Sequence, residues 1–334
     1  MPSGREGPGP ELAHRLAVGL CATTFVLILF GGLVTNTGAA LAVPDWPTTF
    51  GSNMFLFPWS KMVGGVFYEH THRLIGAVVG LLTVALAATL LIAGRGRLLR
   101  WLGGSALIAV GVQGLLGGLR VVLREDALAI AHGCLAQAFF GLTVCLALFT
   151  SRQWVAAVPA PSADAVFLRR LGLSTTGVVY LQIVFGALLT HAGKRLDGHL
   201  TGAAALAILI PVLAARALRG HADRPALVRP AEALVGLLLL QLLLGLGAYA
   251  GGFTGVSIPL APYSVLAFPV IHRLTGALLF AVSLVLTLRA HRLLVPPPLS
   301  RGNSPPRKCR HEQRSRGCGA GPRTEAGARF SRPD

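Results

Sequence analysis

The sequence predicts an all-α integral membrane protein, with eight transmembrane helices arranged as two parallel-repeat four-helix bundles. Three observations predict it. Of the 334 residues 53% are apolar and only 13% charged, and the mean hydropathy is +0.64, the profile of a chain whose solvent is lipid. Eight apolar stretches reach the ~20 residues that a hydrocarbon core requires. The first four of them are echoed by the last four.

The first span, 15–35, ends in GGLVTNTG (31–38), and the fifth, 171–190, ends in GALLTHAG (186–193), with Gly, Leu, Thr and Gly in register. The second span, 69–93, opens with Glu69, His70, His72 and Arg73 packed into five positions. In the third, 101–121, Gln113 precedes Gly117 by four residues; the same spacing separates Gln182 from Gly186 in the fifth and Gln241 from Gly245 in the seventh, 231–250. A glycine four residues from an amide lets helices approach closely and hydrogen-bond across the contact. The fourth, sixth and eighth spans, 128–150, 199–217 and 270–290, each open near a histidine. Because four spans is an even number, the halves run the same way through the membrane, as parallel repeats about an axis along its normal. The divisions expected are an N-terminal half over 1–150, a cytoplasmic linker over 151–170, a C-terminal half over 171–295 and a basic tail over 296–334.

The formal charge of +17 is distributed as membrane topology distributes it, not as a nucleic-acid surface. Arg95, Arg97 and Arg100 follow the second span, Arg152, Arg169 and Arg170 the fourth, and Arg216, Arg219, Arg224 and Arg229 the sixth. With both termini on that side, the positive-inside bias places them in the cytoplasm. The tail adds nine Lys/Arg against three acids and is rich in Pro and Gly, a composition that buries no core and reads as disordered. Its Cys309, His311 and Cys318 match no zinc spacing well. The N-terminal residues show neither a secretory nor a transit pattern, so the expected address is a bacterial plasma membrane. Cys21, Cys134 and Cys145 lie inside spans, leaving the outer loops without a disulfide.

His72, His132, His199 and His272 fall at one depth, two in each half, within about two turns of the outer face. The local sequences agree: HRLIG at 72–76, HRLTG at 272–276 and HLTG at 199–202. A single histidine in a span is as readily an interhelical hydrogen bond. Four at equivalent repeat positions point to a shared ligand role, and paired imidazoles on neighbouring helices of a bundle suit a haem iron. Zinc suits the pattern less, since it rarely relies on separated helix-borne pairs without Cys or carboxylate partners. Arg73 and Arg273, beside their histidines, are placed to pair with haem propionates. His70 points away from His72, His191 stands at the outer end of the fifth span, and His14, His221 and His291 read as solvated.

With these residues in hand, GGLVTNTGAALAVPDWPTTFG (31–51), EHTHRLIG (69–76) and one histidine at the start of each even span, the chain resembles the haem A synthase (cytochrome oxidase assembly) family over about 15–292. The resemblance implies an eight-helix enzyme that oxidises a methyl group of haem O to the formyl of haem A. It implies that Glu69, His72 and His132 form the substrate-haem site, Glu69 being catalytic, and that His199 and His272 ligate a resident haem b that relays electrons. Haem O is then the substrate, with haem O synthase and an electron donor as candidate partners, in contact with membrane lipid and without nucleic acid. Many relatives carry a cysteine pair in the first outer loop; here ALAVPDWPTTFG has none.

One asymmetry separates the halves. Three residues before the histidines stand Glu69, Ala129, Leu196 and Pro269, so one place of the four carries a carboxylate, on the face and one turn above the ligand. A carboxylate in a partly desolvated site can move protons or stabilise developing positive charge; the plainer role is a surface ion pair with Arg73. The rival readings of the whole chain are a di-haem b-type electron carrier without haem-modifying chemistry and, lower, a transporter with parallel repeats. The PDWP loop, with Trp46 and Trp59, reads equally as an interfacial anchor or as a lid.

Overall fold

The structure, a computed structural model, describes residues 9–92, 96–253 and 263–297. The expectations on Arg95 and on the tail, with Cys309, His311 and Cys318, lie outside the described residues. The chain order is α1 (Gly9–Asn36), α2 (Gly65–Ile92), α3 (Arg97–Leu123), α4 (Asp126–Thr150), a short α5 (Arg152–Val155), α6 (Ala165–Ala192), α7 (Leu196–Gly220), α8 (Pro225–Phe253) and α9 (Tyr263–Leu293). Eight of these helices contain stretches of 25 to 30 residues apolar enough to cross a membrane. The chain is an all-α, multi-pass membrane protein.

Several helices begin before their apolar windows. Helix α2 starts at Gly65 rather than 69, α6 at Ala165 rather than 171, and α9 at Tyr263 rather than 270. Apolarity marks only the part of a helix that lipid must cover, while backbone hydrogen bonding continues through polar first turns. Two consequences follow. Glu69 lies in the second turn of α2 instead of opening it, and His272 is the tenth residue of α9, deeper along its helix than two turns. The segment 151–170 is likewise not an unstructured linker throughout. It contains α5, a two-residue strand β1 (Ala160–Pro161) paired in parallel with β2 (Leu294–Val295), and the first turns of α6, whose Ala165 and Leu168 are fully buried.

Helices α1 to α4 close into one ring, α1 against both α2 and α4 and α3 against both, and α6 to α9 close into a second in the same order. Each ring has its own apolar core: Leu20, Val79, Leu86, Leu90, Phe139 and Leu146 in the first, and Leu168, Leu206, Ile210, Leu213, Leu234 and Leu286 in the second. A third cluster joins them, with Ile28 of α1, Phe140 and Val144 of α4, and Ala277 and Ala281 of α9. Along this seam α1 meets α9, α4 meets α6, and α4 meets α9. Exchanging the halves maps the first contact onto the second and the third onto itself, which agrees with a two-fold repeat. Small residues bring helices close: across the seam a Cβ at Gly141 would stand 2.7 Å from the Phe280 ring, and within the second ring one at Gly172 would stand 2.8 Å from the Thr287 hydroxyl.

Outward faces carry Leu81, Ile108 and Leu243 at 71, 72 and 67% exposure, the surface that lipid covers. Threonines within the helices bond back to their own main chain, Thr24 to Leu20 and Thr83 to Val79, each at 2.7 Å, which satisfies these hydroxyls without water. One expectation is overturned here. His221, read as solvated, is 4% exposed, because it caps the C-terminus of α7 with its N–H on the Ala217 carbonyl.

Candidate functional site

The four histidines assemble into two pairs, each within one ring of helices. His72 of α2 and His132 of α4 face each other with ring centroids 6.4 Å apart and planes at 70°. His199 of α7 and His272 of α9 do the same at 6.1 Å and 64°. Each ring lies against a glycine of the helix before it. A Cβ at Gly31 would approach His72 Cε1 to 3.3 Å, at Gly117 His132 to 3.1 Å, at Gly186 His199 to 3.4 Å and at Gly245 His272 to 3.0 Å. The four glycines leave just the room an imidazole edge requires.

One turn before each glycine a main-chain carbonyl meets the inner ring nitrogen. Nδ1 of His132 lies 3.2 Å from the Gln113 carbonyl and Nδ1 of His272 3.2 Å from that of Gln241; the Leu27 and Gln182 carbonyls stand against His72 and His199, whose Nδ1 atoms are buried without a bond of good geometry. A carbonyl at Nδ1 fixes the tautomer that leaves Nε2 as the acceptor, the tautomer in which a metal-bound imidazole is held. The side chains of the same glutamines add to it. The Gln182 amide donates to the His199 carbonyl at 2.6 Å and the Gln241 amide lies 3.2 Å from His272 Nε2, while Oε1 of Gln113, Gln182 and Gln241 is buried without a partner.

The pair spacing fits a haem iron: with metal–nitrogen bonds of about 2 Å, two axial imidazoles place their centroids roughly 6–6.5 Å apart. Among the described residues no group of three or more His, Cys, Asp or Glu is placed to hold a metal ion.

The halves differ above the first pair. Glu69 is 4% exposed, and both its oxygens are engaged, Oε1 by Arg73 Nη2 at 2.7 Å and Oε2 by the Val43 N–H at 3.0 Å. The ion pair with Arg73 exists, but buried rather than at the surface, with side chains 6 and 9% exposed. Arg73, read from the sequence as a propionate partner, donates from Nη1 to the Asp45 and Thr48 carbonyls at 2.7 and 3.1 Å and from Nη2 to the Val43 carbonyl at 3.1 Å. His70, whose role sequence left open, faces the same loop: Nδ1 lies 3.2 Å from Thr49 Oγ1 and the ring 5.2 Å from Phe57. Trp46 crosses to α3, where its indole occupies the place of a Gly118 side chain, within 2.3 Å of the Cβ position. Asp45 closes the loop on itself through Thr48 and the N–H groups of Phe50 and Gly51; burial alone would raise its pKa, and these bonds outweigh it and hold it below the usual carboxylate value.

At the equivalent place in the second half residues 193–195 alone join α6 to α7. Arg273, the counterpart of Arg73, reaches across the seam to Thr35 Oγ1 of α1 at 3.4 Å. His191, in the last turn of α6, lies within electrostatic reach of Arg273, Arg120 and His132. The loop residues Val43, Asp45 and Thr48 were not legible as partners of α2, because their contacts with it use main-chain atoms.

Residues 14–197 match the family of cytochrome oxidase assembly proteins. A heme A synthase of Exiguobacterium sibiricum is 29% identical over 178 residues, 51% of this chain and 57% of that protein. A protoheme IX farnesyltransferase of Haloarcula marismortui is 35% identical over 137 residues, 38% of this chain and 27% of that protein. The chain thus spans little more than half the length of one of these curated relatives and about a quarter of the other.

Proposed function

The chain belongs to the cytochrome oxidase assembly protein family, and from that premise we propose that it is a haem A synthase, oxidising a methyl group of haem O to the formyl of haem A. The observation that carries the reading is the pairing of four histidines at nearly equal spacing, 6.4 and 6.1 Å, with a buried carboxylate beside one pair only. On this reading His72 and His132 hold the substrate haem, and His199 and His272 hold a resident haem b that supplies a route for electrons. Conversion of a methyl to a formyl group is a four-electron oxidation, balanced as –CH3 + H2O → –CHO + 4 H+ + 4 e−, so the site must grip the ring, take up protons and pass electrons on to an acceptor. The residues present suit the first task through the glycine-backed imidazoles, and Glu69 is the carboxylate on which conversion depends. Arg273, with its charge at the seam, is the guanidinium still placed for a propionate.

The likeness to a heme A synthase supports the reaction, and the likeness to part of a protoheme IX farnesyltransferase supports a setting beside farnesylated haem and the enzyme that makes it. The near-equality of the two pairs favours the second reading, a di-haem b-type carrier. Haem identity separates them. Haems extracted from purified protein, co-expressed with haem O synthase, should include haem b together with haem O, an oxidised intermediate or haem A when identified by mass. Protohaem alone in every preparation would overturn the proposal. His199→Ala or His272→Ala should remove most b-type absorbance, and full low-spin haem b in either variant would reject the assignment of the second pair.

A further inference from the structure

The polar atoms of Glu69, Arg73 and His70 are directed at the α1–α2 loop rather than at the space between His72 and His132. Glu69 takes the Val43 N–H, Arg73 three carbonyls between Val43 and Thr48, and His70 the Thr49 hydroxyl. The loop held in this way carries Trp46 to Gly118, the neighbour of the glycine that backs His132. In the half without the carboxylate the equivalent connection, α6 to α7, is only residues 193–195, and there the equivalent arginine donates elsewhere.

We infer that Glu69 and Arg73 are positioning residues: together they latch residues 43–49 over the His72/His132 end of the first bundle, with Trp46 seated on α3, and Glu69 serves the conversion by keeping that loop closed. The inference rests on the reading of His72 and His132 as the substrate pair. A buried carboxylate bonded to a guanidinium and an amide N–H has its lone pairs committed, which suits a fastening. The guanidinium fork reaches three carbonyls at once, a task for which lysine lacks the geometry. The loop holds no cysteine, so closure depends on these bonds, and removing either charge leaves the other buried without its partner.

The test combines release and re-fastening. Glu69→Gln and Arg73→Gln should speed tryptic cleavage after Lys61, which is exposed but lies in a short helix, Trp59–Lys61, that must unwind to enter a protease, by about tenfold or more, and should abolish haem A formation while the haem b spectrum stays. The α1–α2 loop can then be tied covalently: Cβ atoms at Ala42 and Gly65 would be 3.0 Å apart, a small adjustment from the ~3.5–4.5 Å of a disulfide. Glu69→Gln combined with Ala42→Cys and Gly65→Cys, oxidised after purification, should regain slow cleavage and most of its haem A formation, and lose both on reduction. Two results would overturn the latch: unchanged cleavage in Glu69→Gln, or a bridged, protease-resistant Glu69→Gln that makes no haem A although the bridged protein with Glu69 intact does. If the unaltered protein makes no haem A, the substrate reading fails, and the cleavage rates still decide whether the latch exists.

Discussion

A glycine backs each of the four imidazoles, and this contact sets how much each position tolerates. Adding a branched side chain at Gly117 or Gly245, where a Cβ would already lie 3.1 or 3.0 Å from the ring, must push the histidine off its axis. Overpacking of this kind costs about 1–3 kcal/mol. Gly245→Val should therefore purify with reduced haem b, and Gly117→Val should lose the first-half haem, whereas Gly104→Val, with open space around it, should match the parent in haem content per protein. The histidines themselves were legible in the sequence, because one per even span at a common depth is a pattern. Their Nδ1 partners were not, because a main-chain carbonyl leaves no trace in residue identity. The loop partners of Arg73 were illegible for a related reason: an arginine beside a ligand histidine suggests a propionate, and only the course of a loop about 25 residues upstream shows the carbonyls its Nη1 and Nη2 meet.

The eight spans were readable from apolarity, since lipid imposes it along most of each helix; the ends were not, because hydrogen bonding outlasts the apolar window. The segment 151–170 shows the difference most plainly. Its basic, Pro-containing sequence reads as linker, yet Arg169 bonds the His291 and Leu294 carbonyls and β1 pairs with β2, so the start of α6 is fastened to the end of α9. His221, at the junction of α7 and α8, belongs to the same end of the molecule. Burial, and after it the charge of Arg224, hold its pKa below the ordinary value of 6.5, with Asp164 and Asp223 opposing. The unfolded chain then binds the proton more readily than the folded one, so the stabilisation is complete above the unfolded pKa and is lost as pH falls below it. Thermal unfolding in detergent should show a midpoint that falls between pH 7 and pH 5, and His221→Gln should flatten that dependence; an equal slope in the variant would assign it to other groups.

For the molecule as a whole, the bias of arginine toward one set of loops sets the expected orientation, with the histidine pairs at the outer face and both termini inside. A reporter enzyme active only outside the plasma membrane should give signal when fused after Trp46 and none when fused after Arg97; the reverse would move both histidine pairs to the cytoplasmic side. The repeat was legible in GGLVTNTG and GALLTHAG, while the seam was not, since residues such as Gly141 and Phe280 meet only once both rings exist. That seam has a bearing on ancestry. Contacts that map onto themselves when the halves are exchanged are those of an isologous dimer, so the fold reads as two copies of a four-helix subunit joined end to end. In a true homodimer every residue occurs twice at equivalent places, and a carboxylate above one pair would stand above the other as well. Fusion removes that constraint. One former subunit is then free to acquire Glu69 and a long covering loop while its twin keeps a three-residue turn, and division of labour between two identical ancestors becomes a matter of single substitutions.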